Sequence, residues 1–281
     1  MFSEMFLQIE DYLVYCNTKG LSKKTIKSYE QTLKLFERYC VDKNIKSFNK
    51  VTSKTVTEYI DYTKERGKYT AVSNDITLSS NNPENREDYG KRISPLTINS
   101  YIRNLKAFYS YSQEFELTKN NPMSKIKQLP HTRKQKEFIT DAQFRILIQS
   151  FNLSSFSEYR DFTITNLLMD TGMRISECLL IKLEDIDLKK QSIFLPFENT
   201  KSKKGRFVYF SQQMNIILKR WLKYKDVYTN SKFIFTNQRG NPIINSVFES
   251  NFRKYCSRIN LENVSPNFRT FKCFNYRKSL P

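Results

Sequence analysis

The chain has 281 residues, enough for two domains that each bury a core. Its 47 Lys and Arg against 28 Asp and Glu give a formal net charge of +19, which points to a polyanionic partner, duplex DNA or RNA being the commonest. No run approaches the roughly 18 consecutive apolar residues that span a bilayer, and acidic Glu4 stands where a signal peptide carries basic charge, so the sequence reads as soluble, cytoplasmic and without a membrane partner.

Phe2, Met5, Phe6, Ile9 and Leu13 recur at helical spacing, and Gly20 closes that helix. Ser22 caps a second helix with Ile26, Tyr29, Leu33 and Phe36 inward, through to Tyr39 or Cys40. Thr52 or Ser53 starts a third, with Val56, Tyr59 and Ile60 facing the core. Residues 70–93 hold many turn formers and few large apolar side chains, so they read as an irregular excursion. Ser94-Pro95 then starts a helix strongly, because the serine caps free N–H groups and proline at the first helical position loses no bond. Its buried stripe is Ile98, Ile102, Leu105, Phe108 and Tyr109.

From Asn120 to Lys136 two prolines, no apolar periodicity and a run of positive charge predict an interdomain linker. Beyond it Thr140 caps a helix through Phe144, Leu147 and Ile148, and an apolar helix around Ile164, Leu167, Leu168 and Met169 ends at Gly172. Residues 191–197 and 204–211 alternate apolar with polar positions across a short polar loop, which predicts a β-hairpin. A helix from about Ser211 to Lys225 carries Met214, Ile217, Leu218 and Trp221, and another from about Asn245 to Ile259 carries Val247, Phe248 and Phe252. FIFTNQRGNPI between them reads as a short strand and turn.

Cys16, Cys40, Cys178, Cys256 and Cys273 are odd in number and widely spaced, which fits neither a zinc site nor a disulfide framework and implies a reducing compartment. No metal or other cofactor is expected. The stretch Thr171-Gly172-Met173-Arg174-Ile175-Ser176-Glu177 places two charges among apolar residues just past a helix-ending glycine. Arg174 can present a fork of donors to two phosphate oxygens while Glu177 orients it. Spacing alone leaves open a plain ion pair that only stabilises the fold.

TGMRISECLLIKLEDIDL resembles the first conserved box of the tyrosine recombinase, or phage integrase, family. The resemblance implies that Arg174 binds the scissile phosphate with Glu177 in support. ENTKSKKGRFVYFS is similar to the family's strand-turn-strand, which makes Lys201 the lysine that donates a proton to the departing 5′ oxygen. Lys203, Lys204 and Arg206 crowd the same turn and are expected to touch DNA, whether beside that lysine or as a solvated basic patch. SKKTIKSYEQTLKLFERYC and ISPLTINSYIRNLKAFYSYSQ look like the family's helical core-binding domain.

The resemblance breaks near the end. Where the family has a His-x-x-Arg box, the chain reads Val264-Ser265-Pro266-Asn267-Phe268-Arg269, with Asn267 in place of the histidine and one spacer residue missing. Arg269 is the candidate second arginine. Only 12 residues follow it, and Tyr276 lies seven residues on, well before the family's nucleophile position. The only histidine, His131, lies in the basic linker and reads as an ordinary exposed side chain. A truncated or frame-shifted end, without nucleophile or catalytic histidine, is therefore expected.

The resulting expectation is a mainly α fold with a small antiparallel sheet: a SAM-like core-binding domain at 1–118 with an irregular insertion at 70–93, a basic linker at 119–136, and an incomplete mixed α/β catalytic domain at 137–281. For intact relatives the resemblance implies a mobile-element recombinase that cuts and rejoins DNA through a phosphotyrosine bond and self-associates on double-stranded DNA. Integration, excision and transposition are all open. The alternatives are a catalytically inactive DNA-binding remnant or regulator that occupies recombination sites and, more remotely, an RNA-binding helical protein.

Overall fold

The computed structural model describes residues 3–73, 82–132, 139–200 and 204–261. Two compact units divide between residues 133 and 134.

The first unit is helical: α1 (Glu4–Thr18), α2 (Lys23–Asp42), α3 (Ser53–Glu65) and α4 (Pro95–Glu114). Each starts where a hydroxyl can satisfy a free backbone N–H. Ser3, Ser22, Thr52 and Ser94 accept from Phe6, Thr25, Thr55 and Thr97 respectively. At the end of α1 the left-handed conformation of Gly20, φ +68°, lets Leu21 N–H reach back to the Cys16 carbonyl at 3.1 Å. The buried stripe of α1 is Met5, Ile9, Tyr12 and Cys16. Phe6 and Leu13, expected on that stripe, are half-buried at its flanks, and Phe2 lies outside the described residues.

These side chains close on Leu33, Phe36, Tyr39 and Cys40 of α2, Val56 and Tyr59 of α3, and the α4 stripe, with Phe48 and Met123 completing the core. One polar tie crosses it: Asn104 Nδ2 donates to Thr32 Oγ1 at 2.8 Å, joining α4 to α2. Of the segment 70–93, residues 74–81 lie outside the described residues. Its far end returns to α3, with Lys68 N–H bonded to the Lys91 carbonyl at 2.8 Å. Gly67, φ +80°, has no room for a side chain there, because a Cβ would collide with the Gly90 carbonyl.

The segment expected as an interdomain linker packs on the first unit over its first part. Met123 is buried, Ile126 and Leu129 pack on the first core, and Asn99 holds Leu129 at both backbone atoms, accepting from its N–H at 2.7 Å and donating to its carbonyl at 2.9 Å. Lack of periodicity marked the absence of a helix, but the backbone found its partner in a side chain of α4. His131 is exposed beside this tie.

In the second unit α5 (Asp141–Gln149) begins in a reciprocal cap: Thr140 Oγ1 accepts from Gln143 N–H, and Gln143 Oε1 from Thr140 N–H. Helix α6 (Phe156–Thr171) is covered on more than one side and packs against α7 (Ile175–Cys178), α8 (Gln212–Asp226) and α9 (Asn245–Arg258). Between α7 and α8 runs an antiparallel sheet in the order β1 (Ile186–Asp187), β2 (Ser192–Leu195), β3 (Arg206–Tyr209). Its register pairs Ile193 with Val208 and Leu195 with Arg206.

Trp221 is fully buried, and its Nε1 donates to the Ile234 carbonyl at 2.8 Å. FIFTNQRGNPI forms no strand. It makes single bridges, Lys182 to Phe233 and Thr236 to Pro242, because Asn237 and left-handed Gly240 turn the chain after three buried residues, Ile234 to Thr236. Val247, expected in the core, is exposed, while Phe248 and Phe252 are buried.

Candidate functional site

Helix α6 stops at Gly172, whose left-handed backbone, φ +67°, bonds back to the Leu168 carbonyl. Met173 is buried as the chain re-enters the core. Arg174 is then extended, φ −77° and ψ 147°, at the entry to the four-residue helix α7. That single turn carries Glu177 directly beneath it: Arg174 N–H donates to Glu177 Oε2 at 2.9 Å and Arg174 Nη1 to Oε1 at 2.7 Å.

A second guanidinium completes the arrangement. Arg206 of β3 forks onto the same carboxylate, Nη1 to Oε1 at 3.1 Å and Nη2 to Oε2 at 2.6 Å. The Glu177 side chain has no exposed surface, whereas those of Arg174 and Arg206 are 34% and 35% exposed. Burial works against the charge of Glu177, but the Arg206 fork and both bonds from Arg174 outweigh it and hold the carboxyl below its usual range. One buried anion between two cations that reach solvent leaves a surplus positive charge at the surface, which suits an anionic group presenting paired oxygens.

The strand that supplies Arg206 also leaves the basic turn. Thr200, itself buried, lies with Oγ1 3.2 Å from Lys204 N and 3.0 Å from Lys204 O, so the two ends of the turn are pinned together. Lys204 is exposed. Lys201, Lys203 and Arg269 lie outside the described residues, as do Asn267 and Tyr276. The structure therefore unites Arg174, Glu177 and Arg206.

The fork from Arg206 was missed in the sequence, where that arginine reads as one more charge in a basic turn. The signal was strand parity. Val208, two residues on, pairs with buried Ile193, so Arg206 shares the inward face while Phe207 and Tyr209 are exposed.

A second buried ion pair lies deeper in α6. Arg160 donates to Asp161 Oδ1 at 2.8 Å and to the Thr236 carbonyl at 3.2 Å. Asp161 Oδ2 accepts from Asn251 and Tyr255 of α9, each at 2.9 Å. Burial pushes the Asp161 carboxyl up despite these partners. The described cysteines Cys16, Cys40, Cys178 and Cys256 are all buried and unpaired by disulfides, and burial raises each thiol, Cys256 to about 11, which removes the thiolate a nucleophile needs. Among the described residues no group of His, Cys, Asp and Glu is placed to hold a metal ion, and no helix is long and apolar enough to cross a membrane.

Residues 137–276 match the phage integrase family model, and residues 9–80 match that of the phage integrase N-terminal SAM-like domain. A tyrosine recombinase of Thermosipho africanus is 31% identical over 246 residues, covering 87% of this chain and 74% of the relative. The tyrosine recombinase XerC of Bacillus subtilis is 27% identical, over 75% of this chain and 70% of its own length. Among solved structures, the Tn1549 transposon integrase in complex with transposon right end DNA superposes with a TM-score of 0.68 at 16% identity, covering 98% of this chain and 88% of that one. A lambda integrase tetramer bound to a Holliday junction gives 0.68 at 12% identity, over 98% and 74%. Those structures share the fold: a SAM-like helical domain followed by a mixed catalytic domain with a small antiparallel sheet.

Proposed function

The chain belongs to the phage integrase family of tyrosine recombinases, and from that membership we propose that it binds double-stranded DNA and holds a backbone phosphate at Arg174. The observation that carries this reading is the fully covered Glu177 carboxylate bonded to two arginines whose side chains are each about a third exposed. Such a carboxylate fixes a fork of donors in place before the phosphate arrives, so less side-chain entropy is lost on binding. Lys204 and the turn that contains Lys201 and Lys203 are proposed to approach the same duplex, with Arg269 as the second phosphate-binding arginine.

In the family's reaction a tyrosine attacks the scissile phosphate, giving a phosphotyrosyl bond and a free 5′-hydroxyl, and donors aimed at the phosphate oxygens stabilise the charge of the transition state. Residues 1–281 hold Asn267 where the family has its histidine, and Tyr276 follows Arg269 too closely to serve as the nucleophile. We therefore propose DNA binding with little or no strand cleavage by these residues alone.

The purified chain is incubated with a labelled nicked suicide duplex. The expected result is a shifted non-covalent complex and no denaturation-resistant adduct. A robust adduct refutes the inactive reading, and failure to shift duplex DNA refutes the binding reading. Self-association on DNA is read from the stoichiometry of the shifted complex.

A further inference from the structure

Glu177 is saturated, and the way it is saturated has a consequence for Arg174. A carboxylate offers about four lone-pair directions, and here all are taken: Oε1 accepts from Arg174 Nη1 and Arg206 Nη1, and Oε2 from Arg174 N–H and Arg206 Nη2. Guanidinium and carboxylate otherwise pair fork to fork, through two parallel bonds. Arg206 occupies that edge. Arg174 is left with one side-chain bond to the carboxylate, and its side chain is 34% exposed.

We infer that Arg206 is a positioning residue: it fills the bidentate edge of Glu177 and so keeps the Arg174 fork open to a phosphate. This rests on the phosphate reading of Arg174. Without Arg206 the vacant edge draws Arg174 down into a closed, neutral pair, and the site loses its donors and its surplus charge together. Because Arg206 sits on β3, two residues beyond Lys204, the strand that bears the basic turn also sets the aim of Arg174.

The rival is that Arg206, a third exposed, touches a phosphate itself. The two assignments differ in additivity. Binding of a fluorescein-labelled, mixed-sequence duplex is measured by anisotropy over a series of salt concentrations for the wild type, Arg174→Gln, Arg206→Gln, Arg206→Lys and the Arg174→Gln/Arg206→Gln pair. Thermal unfolding of each variant accompanies it.

One lost phosphate contact lowers the salt slope by about one, so Arg174→Gln is expected to weaken binding about tenfold with that change in slope. Arg206→Gln is expected to match it, and adding it to Arg174→Gln to change nothing further. Arg206→Lys keeps the charge and the stem but not the fork, so it too is expected to bind weakly; it carries the comparison if Arg206→Gln unfolds. A further loss in the double variant, with the slope down by about one more, overturns the inference in favour of direct contact. Wild-type binding by Arg206→Lys overturns it in favour of charge alone. If Arg174→Gln itself binds as the wild type does, the phosphate reading falls; if it weakens while Arg206→Gln does not, only the positioning role falls.

Discussion

Replacing Glu177 with glutamine removes a charge and almost no volume from a position where every lone pair has a partner. Each carboxylate oxygen faces two donors, so the amide nitrogen opposes N–H groups whichever way the glutamine turns. Removing one partner of a fully buried ion pair costs about 3–5 kcal/mol. Here both guanidiniums are about a third exposed, and water restores part of their solvation, so the expected loss is about 2 kcal/mol. The assay is urea unfolding followed by the fluorescence of Trp221, the chain's only tryptophan, which is buried in the same unit as Glu177.

The pH dependence has a definite sign. The Glu177 carboxyl is held below its ordinary value of 4.5 in the folded state. Its contribution is therefore full above the unfolded value and is lost as pH falls through the folded one. The gap between wild type and Glu177→Gln is expected to be constant from pH 7 to about 5.5 and to shrink below about pH 5. A gap under about 0.5 kcal/mol at pH 7, typical of an exposed pair, or one that stays level as pH drops to 4, refutes the reasoning.

Tyr255→Phe removes the hydroxyl bond to buried Asp161 and is expected to destabilise the second unit by roughly 1.5–3 kcal/mol, read by the same Trp221 transition; unchanged stability refutes it. Asn99→Ala frees both backbone atoms of Leu129, so amide exchange at Leu129 is expected to accelerate at least about tenfold, with protection at Leu105 in the centre of α4 retained. Gly172→Ala forces a side chain into a left-handed backbone, a strain of about 1–2 kcal/mol, and is expected to weaken duplex binding because Arg174 lies two residues on. Wild-type affinity with lowered stability would separate the helix end from the aim of Arg174.

What could be read from the sequence was whatever local chemistry decides. Ser22, Ser94 and Thr140 cap the helices they were expected to cap, because an unpaired N–H at a helix start needs an oxygen within three residues. Gly172 was legible for the same reason, since few other residues tolerate its φ. Some features were hidden because their partners are distant in sequence. The attachment of the first part of the 120–136 segment was not visible, because the partner of Leu129, Asn99, lies in another helix. Arg206 looked like one charge among several because its carboxylate is 29 residues away and only the pairing of β2 with β3 turns it inward.

Among the described residues of the second unit, two buried acidic groups, Asp161 and Glu177, differ in their surroundings. Asp161 and Glu177 both accept from an arginine and neither carries exposed surface. Buried ion pairs contribute little net stability compared with apolar packing of the same volume, so stability alone accounts for neither. Around Asp161 the arginine is buried too, at 4% exposure, and the remaining bonds go to α9 and to the Thr236 carbonyl, so that network holds α6 against α9 and the Thr236 segment. Around Glu177 the arginines reach solvent while the carboxylate does not. At Asp161 burial outweighs the partners and pushes the carboxyl up, whereas at Glu177 the bonds from Arg206 and Arg174 outweigh burial and hold it below the usual range. An anion with one cation is neutral and closed; an anion with two presents a fixed positive face, which is the feature the proposed phosphate contact rests on.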